Sequence, residues 1–115
     1  MSAPEPQDLR IYRFHSAGLD PITVYVEQYS ELASRVTVQC YAQAWTAYWG
    51  AHGDEGVERF MRDCSVGYLV DSFVWGNGGL MLKRREKDQA RYLGRIIDAI
   101  QRHFAAIANK EAAHA

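Results

Sequence analysis

The residues that could do acid–base chemistry stand in the glycine-rich segment 50–56. His52 and Asp54 are two positions apart, and an imidazole near a carboxylate is a common pair in general acid–base catalysis. Covalent catalysis also needs a nucleophile within hydrogen-bond reach of the base, and the sequence supplies no obvious nucleophile beside this pair. A histidine in a loop is usually solvated. We therefore expect a protein that is not an enzyme and has no catalytic residues.

Patterns for metal and phosphate binding are also weak. The histidines and cysteines do not fall into the ligand spacings of a zinc site; they are His15, His52, His103, His114, Cys40 and Cys64. Segment 76–79, Gly-Asn-Gly-Gly, precedes Lys83 and Arg84 but lacks the Gly-Lys-Ser/Thr ending of a phosphate loop. We predict no metal site and no cofactor, and we interpret 76–79 as a helix stop and hinge.

Length and composition predict one globular domain. The chain has 115 residues, of which 48% are hydrophobic and 23% charged, and no apolar stretch approaches the roughly 18 residues needed to span a bilayer. The residues before Leu9 lack the charged-then-apolar pattern of a signal peptide. These features predict a cytoplasmic protein without membrane contact, in which Cys40 and Cys64 are buried free thiols.

A basic stripe follows the last predicted helix. Its members recur every three or four residues and so share one face; they are Arg84, Lys87, Arg91, Arg95 and Arg102. Residues 1–82 carry 5 basic and 10 acidic side chains, whereas residues 83–115 carry 8 and 4. Asp88 and Asp98 have the spacing to pair with arginines of the stripe. A solvated, ion-paired face and a contact with a polyanion or an acidic protein both remain open.

Alternation of apolar and polar residues predicts three β-strands over residues 9–15, 22–29 and 35–45, the last of which could run on to Trp49. Residues 30–34 form the turn between the second and third strands. In the third strand the inward side chains are Val36, Val38, Cys40 and Ala42, and the outward ones are Thr37, Gln39, Tyr41, Gln43 and Trp45.

Apolar residues with helical spacing follow the glycine-rich segment. They predict a helix capped by Asp54 over about 57–64, a second one that can start at Ser65, and a long one from about Lys83 to Ala108 with an isoleucine-rich inner stripe. The fold class is therefore α+β: an N-terminal three-stranded antiparallel β-meander packed on one face by two or three C-terminal helices, the last long. We expect a flexible tail at 1–8, a single domain at 9–108 and a frayed end at 109–115.

The other face of such a sheet is a candidate contact surface, because so short a chain cannot cover both faces. Tyr25, Arg35, Tyr41 and Trp45 are predicted to lie on it. Aromatic residues and arginine are enriched in protein interfaces, homodimers included, and they also stack on single-stranded nucleic acid. Aromatics folded under loops are a further alternative. For the aromatic run 44–50 a core position is the more common role, and a pocket for a planar ligand is the other.

Three segments carry a family resemblance: GLDPITVYVEQY, RVTVQCYAQAWTAYWGAHGD and FMRDCSVGYLVD. Over residues 11–75 they resemble small proteins of unknown function from tailed bacteriophages and prophages. The resemblance implies a non-enzymatic accessory protein in the host cytoplasm that binds a host protein or protein–nucleic-acid complex, for example as an anti-CRISPR or anti-restriction inhibitor. The alternative is a nucleic-acid-binding protein that acts through the basic helix. The predicted contact residues are Tyr25, Arg35, Tyr41, Trp45, Arg84, Lys87, Arg91 and Arg95.

Overall fold

The computed structural model describes residues 5–76 and 83–113, with side chains described for 5–76 and 88–112. Four strands come first: β1 (Asp8–Phe14), β2 (Ile22–Gln28), β3 (Ser34–Cys40) and β4 (Gln43–Trp49). Three helices follow: α1 (Val57–Asp63), α2 (Val66–Gly76) and α3 (Lys83–Ala113). The α+β class, the antiparallel sheet and the long last helix are confirmed.

The sheet has four strands, not three. Its order is β1-β2-β3-β4, and each strand pairs antiparallel with its neighbour. The predicted third strand is in fact a hairpin, because the chain reverses at Tyr41 and Ala42 and Cys40 lies opposite Gln43. Tyr41 makes this turn with φ 58°, in the left-handed region that bulky residues rarely adopt. Neither turn residue is Gly, Asn, Asp or Pro, so the sequence carries no ordinary turn signal there.

The hairpin changes which β4 side chains face the helices. Val38 lies opposite Trp45 and Val36 opposite Ala47, and directly opposite residues point to the same face of a sheet. Trp45 is only 6% exposed and packs edge-on against Tyr92, with ring centroids 6.1 Å apart. The prediction that Trp45 lies on the outward face is therefore wrong. It belongs to the core, as does Trp49.

The core lies between one face of the sheet, here called the inner face, and the helices. Inward strand residues meet apolar residues of all three helices in one cluster. The α3 members confirm the predicted inner stripe and include Leu93, Ile96, Ile97, Ile100 and Phe104. α2 packs on β4, and α3 packs on α1 and α2. Cys40 is a buried free thiol as predicted, and Cys64 is free but only half-buried.

The helix boundaries correct one predicted cap and confirm another. α1 begins after Gly56, which has φ 96° and gives no side-chain cap, so Asp54 is not the cap. α2 begins after Ser65, whose hydroxyl accepts a hydrogen bond from the Tyr68 N–H at 3.2 Å. α2 ends at Gly76, where a Cβ would collide with the Thr46 carbonyl oxygen. Most of the predicted hinge at 76–79 lies outside the described residues.

Candidate functional site

The outer face of the sheet, opposite the helices, presents three rows of side chains that run across the strands. The rows are Arg13, Thr23, Gln39 and Ala44; Ile11, Tyr25, Thr37 and Thr46; and Leu9, Glu27, Arg35 and Tyr48. Leu9, Ile11 and Tyr48 are 64%, 66% and 60% exposed. Large apolar side chains that are this exposed and lie on one face are typical of a contact surface.

Polar pairs fix the centre of the outer face. Arg35 donates to both carboxylate oxygens of Glu27, directly opposite on β2, at 3.0 and 2.8 Å. These hydrogen bonds hold the pKa of Glu27 below its usual value. The Arg35 guanidinium also lies 5.9 Å from the ring centroid of Tyr29. A bidentate pair of this kind holds its side chains in one geometry, so this part of the outer face is ordered.

A shallow depression of about 250 Å³ lies near the β1 edge of this face. Leu9, Ile11 and Tyr25 supply its apolar wall, and Glu27 and Thr37 add polar groups. The Tyr25 hydroxyl is held by the Gln39 side chain, to which it donates at 3.3 Å. A small apolar depression with a polar rim, here called the socket, is the kind of place where an interface hot spot forms.

The structure places the predicted contact residues in several different parts of the molecule. Tyr25 and Arg35 lie on the outer face, as predicted. Trp45 is in the core, and Tyr41 is at the tip of the β3–β4 hairpin with 77% of its surface exposed. Arg91 and Arg95 are exposed on α3. The side chains of Arg84 and Lys87 lie outside the described residues.

The hairpin tip and α3 meet at one end of the molecule, here called the hairpin end. The Tyr92 hydroxyl donates to the Cys40 sulfur at 3.4 Å, and this contact together with burial raises the pKa of Tyr92 to about 12. Arg95 donates to the Gly18 carbonyl at 3.2 Å. Because Tyr41 follows Cys40 and Arg91 precedes Tyr92, an exposed tyrosine and two exposed arginines share this end.

The ion pairing predicted along the basic stripe is present in part. Arg102 donates to Asp98 at 2.5 Å with the expected i,i+4 spacing. For Arg91 the described side chains provide no ion pair. Arg102 is therefore ion-paired in the C-terminal part of the stripe, whereas Arg91 and Arg95 at the hairpin end have no ion pair among the described side chains, although Asp20 lies near Tyr92 at the same end.

A buried Ser34–His52 pair escaped the sequence reasoning, since the two residues are 18 positions apart. The Ser34 hydroxyl lies 3.0 Å from His52 Nε2, and His52 Nδ1 lies 2.8 Å from the Gly53 carbonyl oxygen. A carbonyl only accepts, so in the neutral imidazole Nδ1 carries the proton and Nε2 accepts from the Ser34 hydroxyl. This is the order of a nucleophile, a base and an orienting group. Ser34 is fully buried, however, so in this structure the pair ties β3 to the loop before α1.

A second cluster missed by the sequence reasoning joins the edge strand β1 to α1. Arg10 donates to both oxygens of Glu58, at 2.5 and 2.9 Å, and Tyr12 donates to Glu58 at 2.6 Å. Burial favours the neutral form of Glu58, but these hydrogen bonds outweigh it and keep the pKa of Glu58 below its usual value. Burial and the same contact raise the pKa of Tyr12 to about 12. The cluster lines a groove of about 750 Å³, yet its own members satisfy one another.

Two absences hold for the described part of the chain. Among the side chains described for residues 5–76 and 88–112, no three of His, Cys, Asp or Glu converge as a metal would require. None of the helices, as far as they are described, is long and apolar enough to cross a membrane.

Comparison with models of protein families gives a match. The model of Phage_phiTE_072, a phage family, matches residues 1–78. The chain belongs to this phage family. No curated protein and no solved structure matches the chain. The resemblance to small phage proteins noted from the sequence is thereby confirmed.

The part of the chain that matches Phage_phiTE_072 contains the whole sheet, α1 and α2. Every residue of the outer face lies within it. α3 lies beyond the matched residues, although its apolar stripe completes the core. The outer face therefore belongs to the region that defines the family, whereas Arg91 and Arg95 of the hairpin end do not.

Proposed function

We propose that this phage protein is a non-enzymatic binder that acts in the host cytoplasm and docks a host protein or protein–nucleic-acid complex through the outer face of its sheet. The observation that carries the proposal is the exposure of Leu9, Ile11 and Tyr48 on a face that no described helix covers. A single apolar residue on a surface needs no explanation, but three on one ordered face favour an interface.

The chemistry of the face supports a protein partner more than a small substrate. Its depression of about 250 Å³ is smaller than the cavities of roughly 300–1,000 Å³ that hold drug-sized ligands. The Arg35–Glu27 pair leaves the face close to neutral, and a mixture of aromatic, aliphatic and paired polar groups is typical of interface cores. Inhibition of a host defence system, CRISPR or restriction, is the biological role that we propose for such docking.

Affinity purification from host lysate with mass spectrometry tests the proposal. We expect one host protein or complex to be retained by the wild-type chain and lost with Ile11→Arg, because a charge placed in the socket disfavours apolar docking. Arg102→Ala is the matched control, since Arg102 is exposed on α3 and far from the outer face in sequence and fold. Retention of the same host protein by Ile11→Arg would contradict the proposal.

The inhibitory role needs a separate measurement. Expression of the chain in a host with an active CRISPR or restriction system should raise the plating efficiency of a targeted phage. Ile11→Arg should abolish the gain, and Arg102→Ala should keep it. Unchanged plating with both defence systems would refute the anti-defence role while leaving the docking proposal to the purification result.

The hairpin end favours a second candidate function, the binding of nucleic acid. An exposed aromatic ring supplies a stacking surface, and exposed arginines supply phosphate contacts. Tyr41, Arg91 and Arg95 provide both at one end. Counterion release predicts that the affinity for an oligonucleotide falls steeply with salt and drops in Arg91→Ala/Arg95→Ala. Absence of binding at low salt would remove this candidate.

A further inference from the structure

A groove of about 550 Å³ opens at the margin of the outer face, where β4 meets α2. Its walls come from Tyr48 and Trp49 of β4 and from Tyr68, Asp71, Ser72 and Trp75 of α2. Trp75 is 76% exposed, and Tyr48 and Tyr68 also expose much of their rings. Tyr48 belongs both to the outer face and to this edge groove, so the two surfaces are continuous.

The groove follows from two different stripes on α2. The residues Val66, Leu69, Val70 and Phe73 form the stripe that packs on the core. Tyr68, Asp71, Ser72 and Trp75 repeat the same i, i+3, i+4, i+7 spacing two positions later, which at about 100° per residue places them on the opposite, solvent-facing side of α2. Two aromatic residues and a carboxylate on an exposed stripe are not needed to bury α2, which suggests a role outside the chain.

The walls are held in place by contacts beneath them. The Trp49 indole N–H donates to the Tyr68 hydroxyl at 3.1 Å, and Phe60 packs edge-on against the Tyr68 ring at a centroid distance of 6.2 Å. The close approach of Gly76 to Thr46 fixes the end of α2 against β4. A site whose side chains are fixed in advance loses less conformational entropy when a ligand binds.

Asp71 gives the groove its charge. Its carboxylate is exposed, and within the described part of the chain it takes part in no ion pair. Aromatic faces attract cations through their quadrupole, and a carboxylate beside them adds a direct charge pair. The complementary ligand group is therefore a cation, and a flat one makes the most of both contacts.

We propose that the edge groove binds an arginine side chain within an extended segment of the partner protein. A guanidinium is planar, stacks on aromatic rings and pairs with a carboxylate through two hydrogen bonds, which an ammonium group does not do. The groove is larger than one side chain and has room for the residues on either side of the arginine. This inference rests on the proposed docking function. It adds the chemistry of the partner where the partner reaches the margin of the outer face.

A capped pentapeptide, Pro-Pro-Arg-Pro-Pro, is a suitable probe because proline holds it extended. Titrated into the full chain and followed by amide chemical shifts in NMR, it should bind saturably and shift the resonances of residues 47–49 and 68–76. The same peptide with citrulline, which is neutral and nearly isosteric, should bind at least about tenfold more weakly, since the charge pair and the cation–π contact are lost.

Substitutions in the groove provide the second part of the experiment. Asp71→Asn and Trp75→Ala should each weaken binding of the arginine peptide by about tenfold, the scale of one lost charge pair or stacking contact. Both positions are exposed, so folding should be unchanged by circular dichroism. Asp63→Asn, an exposed carboxylate on α1, and Leu32→Ala, an exposed apolar residue between β2 and β3, are the controls and should bind as the wild type does.

Several outcomes overturn the inference. Equal binding of the arginine and citrulline peptides would show that the groove does not recognise a cation. Tighter binding of a trimethyllysine peptide would show that the preferred ligand is a quaternary ammonium group and not arginine. Binding that survives both Asp71→Asn and Trp75→Ala would place the peptide elsewhere. If Ile11→Arg loses host-protein capture but the wild-type chain does not bind the arginine peptide, only the groove inference is overturned. If the wild-type chain binds the peptide but capture of the host protein does not depend on Ile11, only the outer-face docking proposal is refuted.

Discussion

The two faces of the sheet are built from the same strands but hold together in different ways. On the inner face the central valines, Val24, Val26, Val36 and Val38, are fully buried against the helices. On the outer face the stabilising contacts run between strands, as in the Arg35–Glu27 pair and the Thr37–Thr46 hydroxyl contact at 3.3 Å. Burial therefore fixes one face, and cross-strand pairs order the other without covering it.

Replacement of one aromatic residue on each face gives the largest expected contrast. Trp45→Ala should lower the free energy of unfolding by about 3–5 kcal/mol, because it leaves a large cavity in the inner face. Tyr48→Ala on the outer face should cost less than about 1 kcal/mol, as surface substitutions do. Chemical denaturation measures both. Similar losses would contradict the contrast in burial between the two faces, and a larger loss for Tyr48→Ala would mean that they have been assigned the wrong way round at β4.

Two glycines of α2 test how the helix is attached to the sheet. Gly76→Ala should destabilise by about 1–3 kcal/mol, since the new Cβ collides with the Thr46 carbonyl and α2 must shift. Gly67→Ala should stabilise by about 0.5–1 kcal/mol, because a Cβ there meets no atom within 4 Å and alanine favours the helix. Thermal unfolding of both variants checks the opposite signs, and equal signs would contradict the close approach at Gly76.

The two arginine–glutamate pairs allow a comparison of ion pairs on the two sides. Glu58→Gln should cost about 1–3 kcal/mol, because Arg10 and Tyr12 lose their shared partner in a mostly buried setting. Glu27→Gln, which loosens the exposed pair with Arg35, should cost about 1 kcal/mol or less. Urea denaturation at neutral pH measures both. A larger loss for Glu27→Gln would reverse the ranking of the two pairs.

The pH dependence of the Glu58 pair has a definite sign. The pKa of Glu58 is lower in the folded than in the unfolded chain, so the pair contributes fully above the ordinary glutamate pKa. Its contribution falls as the pH drops through the lowered, folded value. Urea midpoints measured between neutral and acidic pH should therefore fall less steeply in Glu58→Gln than in the wild type. Parallel curves would exclude Glu58 as a source of the acid sensitivity.

The smallest expected effect concerns the turn at Tyr41 and Ala42, which joins β3 to β4. Tyr41→Gly should stabilise the chain by up to about 1 kcal/mol, because glycine adopts the left-handed conformation without strain. Tyr41→Ala keeps a Cβ and should show no such gain. The difference between the free energies of unfolding of the two variants, measured by chemical denaturation, isolates the contribution of backbone strain. Equal free energies would mean that the φ of 58° is not strained.

The regular elements could be predicted from periodicity, and the hairpin could not. β2 was predicted from the alternation of Ile22, Val24 and Val26. α3 was predicted from the helical spacing of Leu93, Ile96 and Ile100. β4 was missed because the Tyr41–Ala42 turn contains no turn-forming residue. The available signal was a change of phase, since the core-forming apolar residues occupy even positions from Ile22 to Cys40 and odd positions from Trp45 to Trp49.

The candidate site was only partly accessible from the sequence. Tyr25 and Arg35 follow from the alternation of β2 and β3, which is a local property. The socket with Leu9 and Ile11 depends on how β1 pairs with β2, and the edge groove depends on how α2 meets β4. Such contacts between distant segments are set by tertiary packing, which no pattern along the chain records.

The position of α3 at the end of the element order has a consequence for synthesis on the ribosome. Residues 77–113 follow the sheet and the first two helices, and at about 5–20 residues per second they take roughly two to seven seconds to translate. Until they emerge, the valine face of the nascent sheet lacks the isoleucine stripe that covers it. During this interval the inner face, rather than the outer one, is the surface that host chaperones would meet.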